Sequence, residues 1–161
     1  MRCATQAEFM LKSLWRYAHT LAGLIFRRPL LGVSIIGITP EGAIVLVRRR
    51  DDGRWALPGG LVDWGETILE AAARELKEET GFRLLNLTRL VGAYSEPHRD
   101  PRIHSVCVAL AAAVTPEGSI QDQLEISAVQ VFPLDRLPFG ALSHDHDRQL
   151  QDYLAGVTTI A

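Results

Sequence analysis

Short runs of β-branched and other apolar residues predict the strands of this chain. The first two, LGVSIIGI at 31–38 and AIVLVRR at 43–49, flank Thr39-Pro40-Glu41-Gly42, which has the composition of a turn. We therefore expect a β-hairpin over residues 31–49. Further runs of the same kind predict strands at 84–94, 103–114 and 126–132.

An amphipathic helix is predicted near the N-terminus, over residues 6–28 and ending before Pro29. Its apolar stripe is formed by Leu11, Leu14, Ala18, Leu21 and Ile25. The same segment carries Lys12, Arg16, Arg27 and Arg28. Such a helix packs on its own domain, packs on a dimer partner, or associates weakly with a membrane surface. We favour packing.

Two further helices are expected. Residues 66–80 contain good helix formers, and Gly81 follows where a left-handed C-cap is favoured. A last helix is predicted from about Asp145 to Leu154, with Ser143 as its cap and Gly156 at its end. His144 and His146 beside it have the residue types of a metal site, but their place at a helix start favours solvent-exposed capping.

Strands placed between three helices predict a chain of mixed α and β structure. The 161 residues fit one domain of ordinary size. We therefore expect an N-terminal helix at residues 1–30 and a single folded domain at residues 31–161.

Composition narrows the classes of function. The net charge of −2 argues against a general nucleic-acid binder, although local arginines can still hold small anions. Two cysteines, Cys3 and Cys107, allow at most one bridge, which favours a reducing compartment. No run of about 18 apolar residues predicts a membrane span, and no signal peptide is evident. A cytoplasmic location is the expectation.

Three glutamates crowd one face of the helix predicted at 66–80. Glu75, Glu78 and Glu79 lie at i, i+3 and i+4, so their like charges repel. Hard divalent cations bind carboxylate oxygens and would remove this repulsion. Arg74 stands four residues from both Glu70 and Glu78 and can hold the array in place. The alternative is an ordinary solvated helix face.

The spacing around these glutamates is longer and more specific than the glutamates alone. Its fixed positions are Gly60, Glu66, Arg74-Glu75-Leu76, Glu78-Glu79 and Gly81-Phe82. This pattern resembles the complete signature of the Nudix hydrolases. The resemblance implies an α/β/α sandwich around a mixed β-sheet. It also implies hydrolysis of a nucleoside diphosphate linked to another moiety, with Mg²⁺, or Mn²⁺ as a substitute.

The resemblance also assigns roles to individual residues. Metal ligands are implied at the carbonyl of Gly59 and at Glu66, Glu75, Glu78 and Glu79, with Glu66 binding directly or through water. Arg74 matches the arginine that orients the glutamates. Many members use a further glutamate on a later loop as ligand or general base. Glu125 lies in a comparable region and Glu117 is a rival, so Glu75 or Glu125 is expected to accept the proton of the attacking water.

One segment bears on the choice of substrate. YSEPHRDPRIHS, residues 94–105, resembles the YS-x-P-x-RDPR-x-H segment of the ADP-ribose pyrophosphatase group, with Ile103 in place of a glycine. His98, Arg99 and Arg102 are therefore expected to contact phosphate or ribose. The alternative is a charged surface loop in which Asp100 pairs with Arg102.

A second set of candidate substrate contacts lies near the hairpin. Arg48 and Arg50 share one side of their strand and, with Arg54, form a candidate phosphate clamp, whereas Arg49 points to the other side. Trp55 stacks on a nucleobase or packs under the loop.

Three functions are compatible with these patterns. The favoured one is hydrolysis of ADP-ribose to AMP and ribose 5-phosphate. The second is action on another nucleotide, such as a nucleoside triphosphate, a dinucleoside polyphosphate or guanosine tetraphosphate. The third is a Nudix-fold sensor without turnover, against which the intact glutamates argue. A homodimer is expected from the same resemblance.

Overall fold

The computed structural model describes residues 15–17, 20, 23 and 28–161. The strands are β1 Leu30–Ile38, β2 Ile44–Arg49, β3 Trp55–Ala56, β4 Gly59–Leu61, β5 Phe82–Tyr94, β6 Ser105–Pro116, β7 Ile126–Phe132 and β8 Thr159–Ile160. The helices are α1 Ile68–Thr80, a 3₁₀ turn at Leu134–Arg136, and α2 His146–Leu154. The strands predicted from the apolar runs are confirmed, with ends that differ by at most two residues.

The eight strands in the described part of the chain belong to one mixed sheet. Six follow the order β3-β2-β1-β6-β5-β8, while β4 pairs with β1 and β7 pairs with β2. β1 and β2 are antiparallel, as the predicted hairpin requires, whereas β1 and β6 are parallel. β1 is therefore central, and its residues Ile35 and Ile36 are fully buried on opposite faces of the sheet.

Helices α1 and α2 cover opposite faces of this sheet. On one face, α1 packs Ala71, Ala72 and Leu76 into a cluster that includes Ile35. On the other, Leu150 of α2 packs in the cluster that contains Ile36, Leu46, Val91, Tyr94 and Leu142. The predicted α/β/α sandwich is confirmed, and each layer boundary contains a cluster of buried apolar side chains.

α1 is delimited by local sequence signals. Thr67 caps its N-terminus in a capping box with Glu70, and Gly81 adopts the left-handed conformation at its C-terminus with φ 72°. The helix therefore begins at Ile68, two residues later than predicted. Glu66 lies outside it, where its carboxylate accepts a hydrogen bond from the Asp63 amide at 3.0 Å.

The cap of α2 differs from the prediction, and the predicted N-terminal helix is described only in part. Ser143 does not cap α2, because its hydroxyl donates to Asp52 at 2.7 Å and Asp145 occupies the N-cap position. Most of the helix predicted at residues 6–28 lies outside the described residues; those described at 15–17, 20 and 23 are helical. No helix in the described part of the chain is long and apolar enough to cross a membrane.

Candidate active site

Arg74 organises the carboxylates of α1. Its Nε and Nη2 donate to the two oxygens of Glu66 at 2.8 and 2.9 Å. Its Nη1 donates to Glu75 at 2.8 Å and to Glu78 at 3.4 Å. Glu70, a predicted partner, is instead committed to the cap at Thr67. One guanidinium thus holds three carboxylates in fixed positions.

β4 brings the backbone close to the same carboxylates. The amide of Gly59 donates to Glu79 at 2.9 Å. Gly59 has φ 155°, and a Cβ there would collide with the backbone of Val33 and Ser34. A Cβ on Gly60 would collide with the carboxylate of Glu75. Gly59 is therefore required by its close approach to β1, whereas a side chain at Gly60 would displace the Glu75 carboxylate.

Burial perturbs the two innermost carboxyls. The pKa of Glu79 is raised to about 8 by burial, with the charges of Glu75 and Glu125 adding to the shift against the Gly59 hydrogen bond. The pKa of Glu75 is also raised by burial, although Arg74 opposes this. Carboxyls in this state favour a cation that would stabilise their ionised forms.

The donor set fits a hard divalent cation. Glu75, Glu78 and Glu79 offer only oxygen atoms and line one cleft together with Gly59. Among the described residues, no three acidic, histidine or cysteine side chains already converge as ligands of one ion. Glu66 is engaged with Arg74 and the Asp63 amide. Its predicted ligand role would therefore require it to exchange these partners, or to act through water.

The cleft has a volume of about 560 Å³. Besides the glutamates it is lined by cationic and imidazole groups, namely Arg49, Arg99, Arg102, His144 and His146. This combination of oxygen ligands and cations in one cleft suits an anionic substrate that carries a metal ion.

Glu125 and Glu117 lie in different places. Glu125 lines the cleft. Burial is the main cause of the raised pKa values of Glu75 and Glu79, and the charge of Glu125 raises them further. Glu117 instead forms surface ion pairs with Lys77 at 3.6 Å and Arg83 at 3.1 Å. The position of Glu125 favours it as the further glutamate, and its role stays a prediction.

The loop at residues 94–105 is held by one ion pair within the loop and by others to Asp145 and Asp51. Arg99 donates to both oxygens of Asp145 at 2.8 and 3.0 Å and to the Ser105 hydroxyl at 2.7 Å. Arg102 forms a fork with Asp100, which is the alternative pairing considered above, and also contacts Asp51 at 3.1 Å. Both arginines nevertheless line the cleft.

A comparison with known proteins identifies the family. The NUDIX domain matches residues 28–153, which is most of the chain. The chain belongs to the Nudix family. The predictions of the Nudix fold and of a Nudix pyrophosphohydrolase are thereby confirmed.

Individual relatives differ in the substrates that their names give. An ADP-ribose pyrophosphatase of Methanocaldococcus jannaschii is 35% identical over 81% of this chain and 76% of its own length. A putative 8-oxo-dGTP diphosphatase of Bacillus subtilis is 31% identical over 80% and 83%.

Solved structures agree on the fold. A MutT Nudix hydrolase from Burkholderia pseudomallei has a TM-score of 0.67 and 30% identity, covering 78% of this chain and 98% of that chain. The Nudix domain of Shewanella oneidensis NrtR, solved with ADP ribose, has a TM-score of 0.66 and 26% identity, covering 85% and 97%.

The candidate phosphate clamp of this Nudix protein is not assembled in the cleft. Arg48 donates to the Gly53 carbonyl at 3.0 Å and Arg50 to the Gln123 carbonyl at 2.9 Å. Arg54 is 3.5 Å from the Leu142 carbonyl. The cleft lining includes none of these three arginines.

Arg49 is the arginine of this strand that reaches the cleft, where it pairs with Asp51 at 2.6 Å. Strand alternation already separated Arg49 from Arg48 and Arg50. Only the sheet's orientation shows which side faces the site.

Two other candidate contacts lie beside the cleft rather than in it. Trp55 packs edge-on against Phe132 with ring centroids 5.0 Å apart, which corresponds to the packing alternative. His98 lines a smaller cavity of about 250 Å³ with Tyr94, Arg99 and Arg148. Neither belongs to the cleft lining, and direct substrate contact by them stays a prediction.

The histidines near α2 differ from expectation. His146 is not solvent-exposed but buried, with 7% of its surface accessible, and its Nδ1 accepts the Leu57 amide at 3.0 Å. Asp145 binds Arg99, and Asp147 accepts from the Gly140 amide. His146, Asp145 and Asp147 are therefore each engaged by a protein partner. Helical periodicity alone could not show that this turn lies under the cleft.

The buried His146 makes stability depend on pH. Burial lowers its pKa from 6.5 to about 3, so below pH 6.5 the unfolded chain binds a proton that the folded chain does not. We expect a stability contribution that is complete above pH 6.5 and is lost as the pH falls toward 3. At pH 5 the loss is about 2 kcal/mol.

Thermal melts of wild type and of His146→Asn at pH 7.5 and pH 5 test this expectation. The wild type should lose more stability than the variant, because asparagine does not titrate. The exposed His104→Asn serves as the matched control and should follow the wild type. An equal loss in wild type and His146→Asn would contradict the assignment.

Proposed function

We propose that this Nudix protein hydrolyses the pyrophosphate bond of a nucleoside diphosphate linked to another moiety, with ADP-ribose cleaved to AMP and ribose 5-phosphate. The observation that carries the proposal is the array of Glu75, Glu78 and Glu79, held by Arg74 and by the Gly59 amide at one cleft. A protein that only binds nucleotides has no chemical need for this array.

Mg²⁺, or Mn²⁺ in its place, is the cofactor of the proposal. The Gly59 carbonyl and the carboxylates of Glu66, Glu75, Glu78 and Glu79 are the groups that would hold it. When bound, such an ion neutralises phosphate charge and makes a water nucleophilic at neutral pH.

The chain's own residues orient the carboxylates, accept a proton and supply positive charge. Arg74 keeps Glu75 and Glu78 beside each other, at 2.8 and 3.4 Å from one nitrogen. In this proposal, Glu75 or Glu125, which both line the cleft, accepts the proton of the attacking water. Arg49, Arg99 and Arg102 supply positive charge for the phosphates. Most of the catalytic effect would come from positioning and electrostatics.

Two lines of support favour ADP-ribose. A relative covering most of this chain is named an ADP-ribose pyrophosphatase, and a similar Nudix domain was solved with ADP ribose. The RDPR segment lines the cleft through Arg99, Asp100 and Arg102. A nucleoside triphosphate is the second candidate, favoured by the relative named as a putative 8-oxo-dGTP diphosphatase.

A product-release assay tests the proposal. Purified protein with Mg²⁺ is given ADP-ribose, diadenosine polyphosphates, nucleoside triphosphates, guanosine tetraphosphate and NADH. We expect AMP from ADP-ribose with the highest kcat/KM, and no turnover by Glu78→Gln. A higher kcat/KM on a triphosphate would replace the substrate while keeping the chemistry. Absence of turnover with Mg²⁺ and with Mn²⁺ would favour the sensor.

Organisation and assembly belong to the same proposal. We retain an N-terminal helix at residues 1–30, a Nudix domain at 31–161, a cytoplasmic location and a homodimer. The exposed side chains of Leu85, Leu87 and Leu90 on β5 offer an apolar surface that a dimer would cover. Light scattering after size exclusion measures the mass, and a mass near 17.8 kDa would refute the dimer.

A further inference from the structure

The tautomer of His146 follows from its hydrogen bond. This residue begins α2, and its Nδ1 lies 3.0 Å from the amide nitrogen of Leu57. The amide is the donor, so Nδ1 must be the unprotonated nitrogen that accepts. The proton of the neutral imidazole is therefore on Nε2, which becomes a hydrogen-bond donor.

This donor has no protein acceptor within the described residues, since the hydrogen bond of the His146 ring is the one through Nδ1. Among the described residues, Thr39 Oγ1 is the one fully buried side-chain nitrogen or oxygen atom that lacks a hydrogen-bond partner. His146 Nε2 also lacks a protein partner, so it must keep some access to solvent. The ring lines the cleft with 7% of the residue accessible. A substrate acceptor that enters the cleft can take this hydrogen bond in place of water.

The surroundings select the kind of acceptor. His144 lies edge-on to the His146 ring at 5.5 Å, and Arg99 lines the same cleft. Burial lowers the pKa of His146 to about 3, and His144, Arg99 and Arg49 add to this shift against the opposing charge of Asp145, so the ring is neutral at physiological pH. An electron-rich oxygen satisfies both the neutral donor and the neighbouring charges.

We propose that the Nε2–H group of His146 binds an oxygen atom of the nucleotide substrate in this cleft. The inference rests on the proposed function, because it names a further substrate contact of the same cleft. His146 is a binding residue in this proposal. The Leu57 amide fixes the His146 ring, and two residues later the Gly59 amide donates to Glu79. The same short backbone segment therefore positions both side chains.

Two substitutions separate substrate binding from structural support. In His146→Asn the amide oxygen replaces Nδ1 as acceptor of the Leu57 amide, but nothing replaces the Nε2 donor. In His146→Gln the longer side chain places an amide donor near the former Nε2 position, but the acceptor for Leu57 is lost. The asparagine variant therefore removes the donor of the imidazole, and the glutamine variant removes its acceptor.

We expect His146→Asn to melt close to wild type at pH 7.5 and to raise KM for ADP-ribose roughly tenfold, with a much smaller change in kcat. His146→Gln should melt at a lower temperature but show a KM closer to wild type than the asparagine variant. The reverse order of the two KM values, or an unchanged KM in His146→Asn, would overturn the proposal.

Binding measurements keep the inference independent of turnover. Calorimetry of wild type and His146→Asn with ADP-ribose, AMP and ribose 5-phosphate, all without metal, should show about tenfold weaker binding of ADP-ribose and of the product that carries the acceptor. If wild type and His146→Asn bound each of the three ligands with equal affinity, the proposal would be overturned.

Imidazole ¹⁵N spectra report the tautomer directly. The Nε2–H form of His146 should persist from pH 5 to 8, and its Nε2 resonance should shift when ADP-ribose is added. An Nδ1–H form would refute the argument. If wild type binds ADP-ribose but hydrolyses no nucleotide, the proposed function fails while these measurements still decide the role of His146.

Discussion

Replacing Glu79 by glutamine is expected to lower kcat by roughly 10²- to 10³-fold, the size of effect seen when one preorganised electrostatic group is removed from an active site. Glutamine keeps the shape of the side chain and an oxygen that can accept the Gly59 amide hydrogen bond. It removes the negative charge that a metal ion requires. The loss should therefore appear in turnover while the fold is preserved.

The same substitution should increase the stability of the metal-free protein at high pH. The pKa of Glu79 is raised by burial to about 8, above its ordinary 4.5, so the folded chain binds a proton more tightly than the unfolded chain. Folding stability is therefore lost as the pH rises from about 4.5 through 8. Glutamine does not titrate, so its advantage over the wild type should grow across this interval.

Steady-state kinetics with Mg²⁺ and melts without metal at pH 5 and pH 8 measure both effects. Glu70→Gln is the matched control, because it makes the same chemical change on the same helix and a glutamine still completes the capping box at Thr67. It should leave kcat unchanged. A wild-type kcat in Glu79→Gln would mean that Glu79 has no role in catalysis. A melting point below that of the wild type at pH 8 would contradict the raised pKa of the buried Glu79 carboxyl.

Replacing Arg74 by lysine is expected to lower kcat/KM by about 10- to 100-fold, as is typical when a group that orients metal ligands is lost. The charge is kept, but one ammonium cannot reproduce the fork to Glu66 while also binding Glu75 and Glu78. The three carboxylates would lose their fixed relative positions. A higher Mg²⁺ concentration should then be needed for half-maximal activity.

Mg²⁺ titrations of activity test this prediction. Arg83→Lys is the control, since Arg83 forms an exposed ion pair with Glu117 outside the cleft and such pairs contribute little. We expect it to behave as wild type. Wild-type kcat/KM and an unchanged Mg²⁺ requirement in Arg74→Lys would mean that the arginine does not orient the glutamates.

Much of this architecture was accessible from local patterns. Apolar runs and turn residues predicted β1 and β2, and helical spacing with Gly81 predicted α1 to within two residues at its start. The capping box moved that start to Ile68. Ser143 was assigned to the wrong role, because its hydroxyl has a partner in Asp52, 91 residues earlier, that no local pattern reveals.

The sequence by itself determined which chemistry is available. The i, i+3 and i+4 positions of Glu75, Glu78 and Glu79 follow from helix geometry, and the spacing from Gly60 to Phe82 carries the Nudix signature in one continuous segment. Such features survive any arrangement of the remaining chain, since their relations are within one helix and its flanking turn.

Only the tertiary structure decided which distant residues share the cleft. It placed Arg49 there rather than Arg48 or Arg50, and it buried His146 against Leu57. These relations depend on how β1 pairs with β4 and how α2 packs on the far face of the sheet. They join residues up to 89 positions apart, and burial across such separations is set by packing rather than by local periodicity.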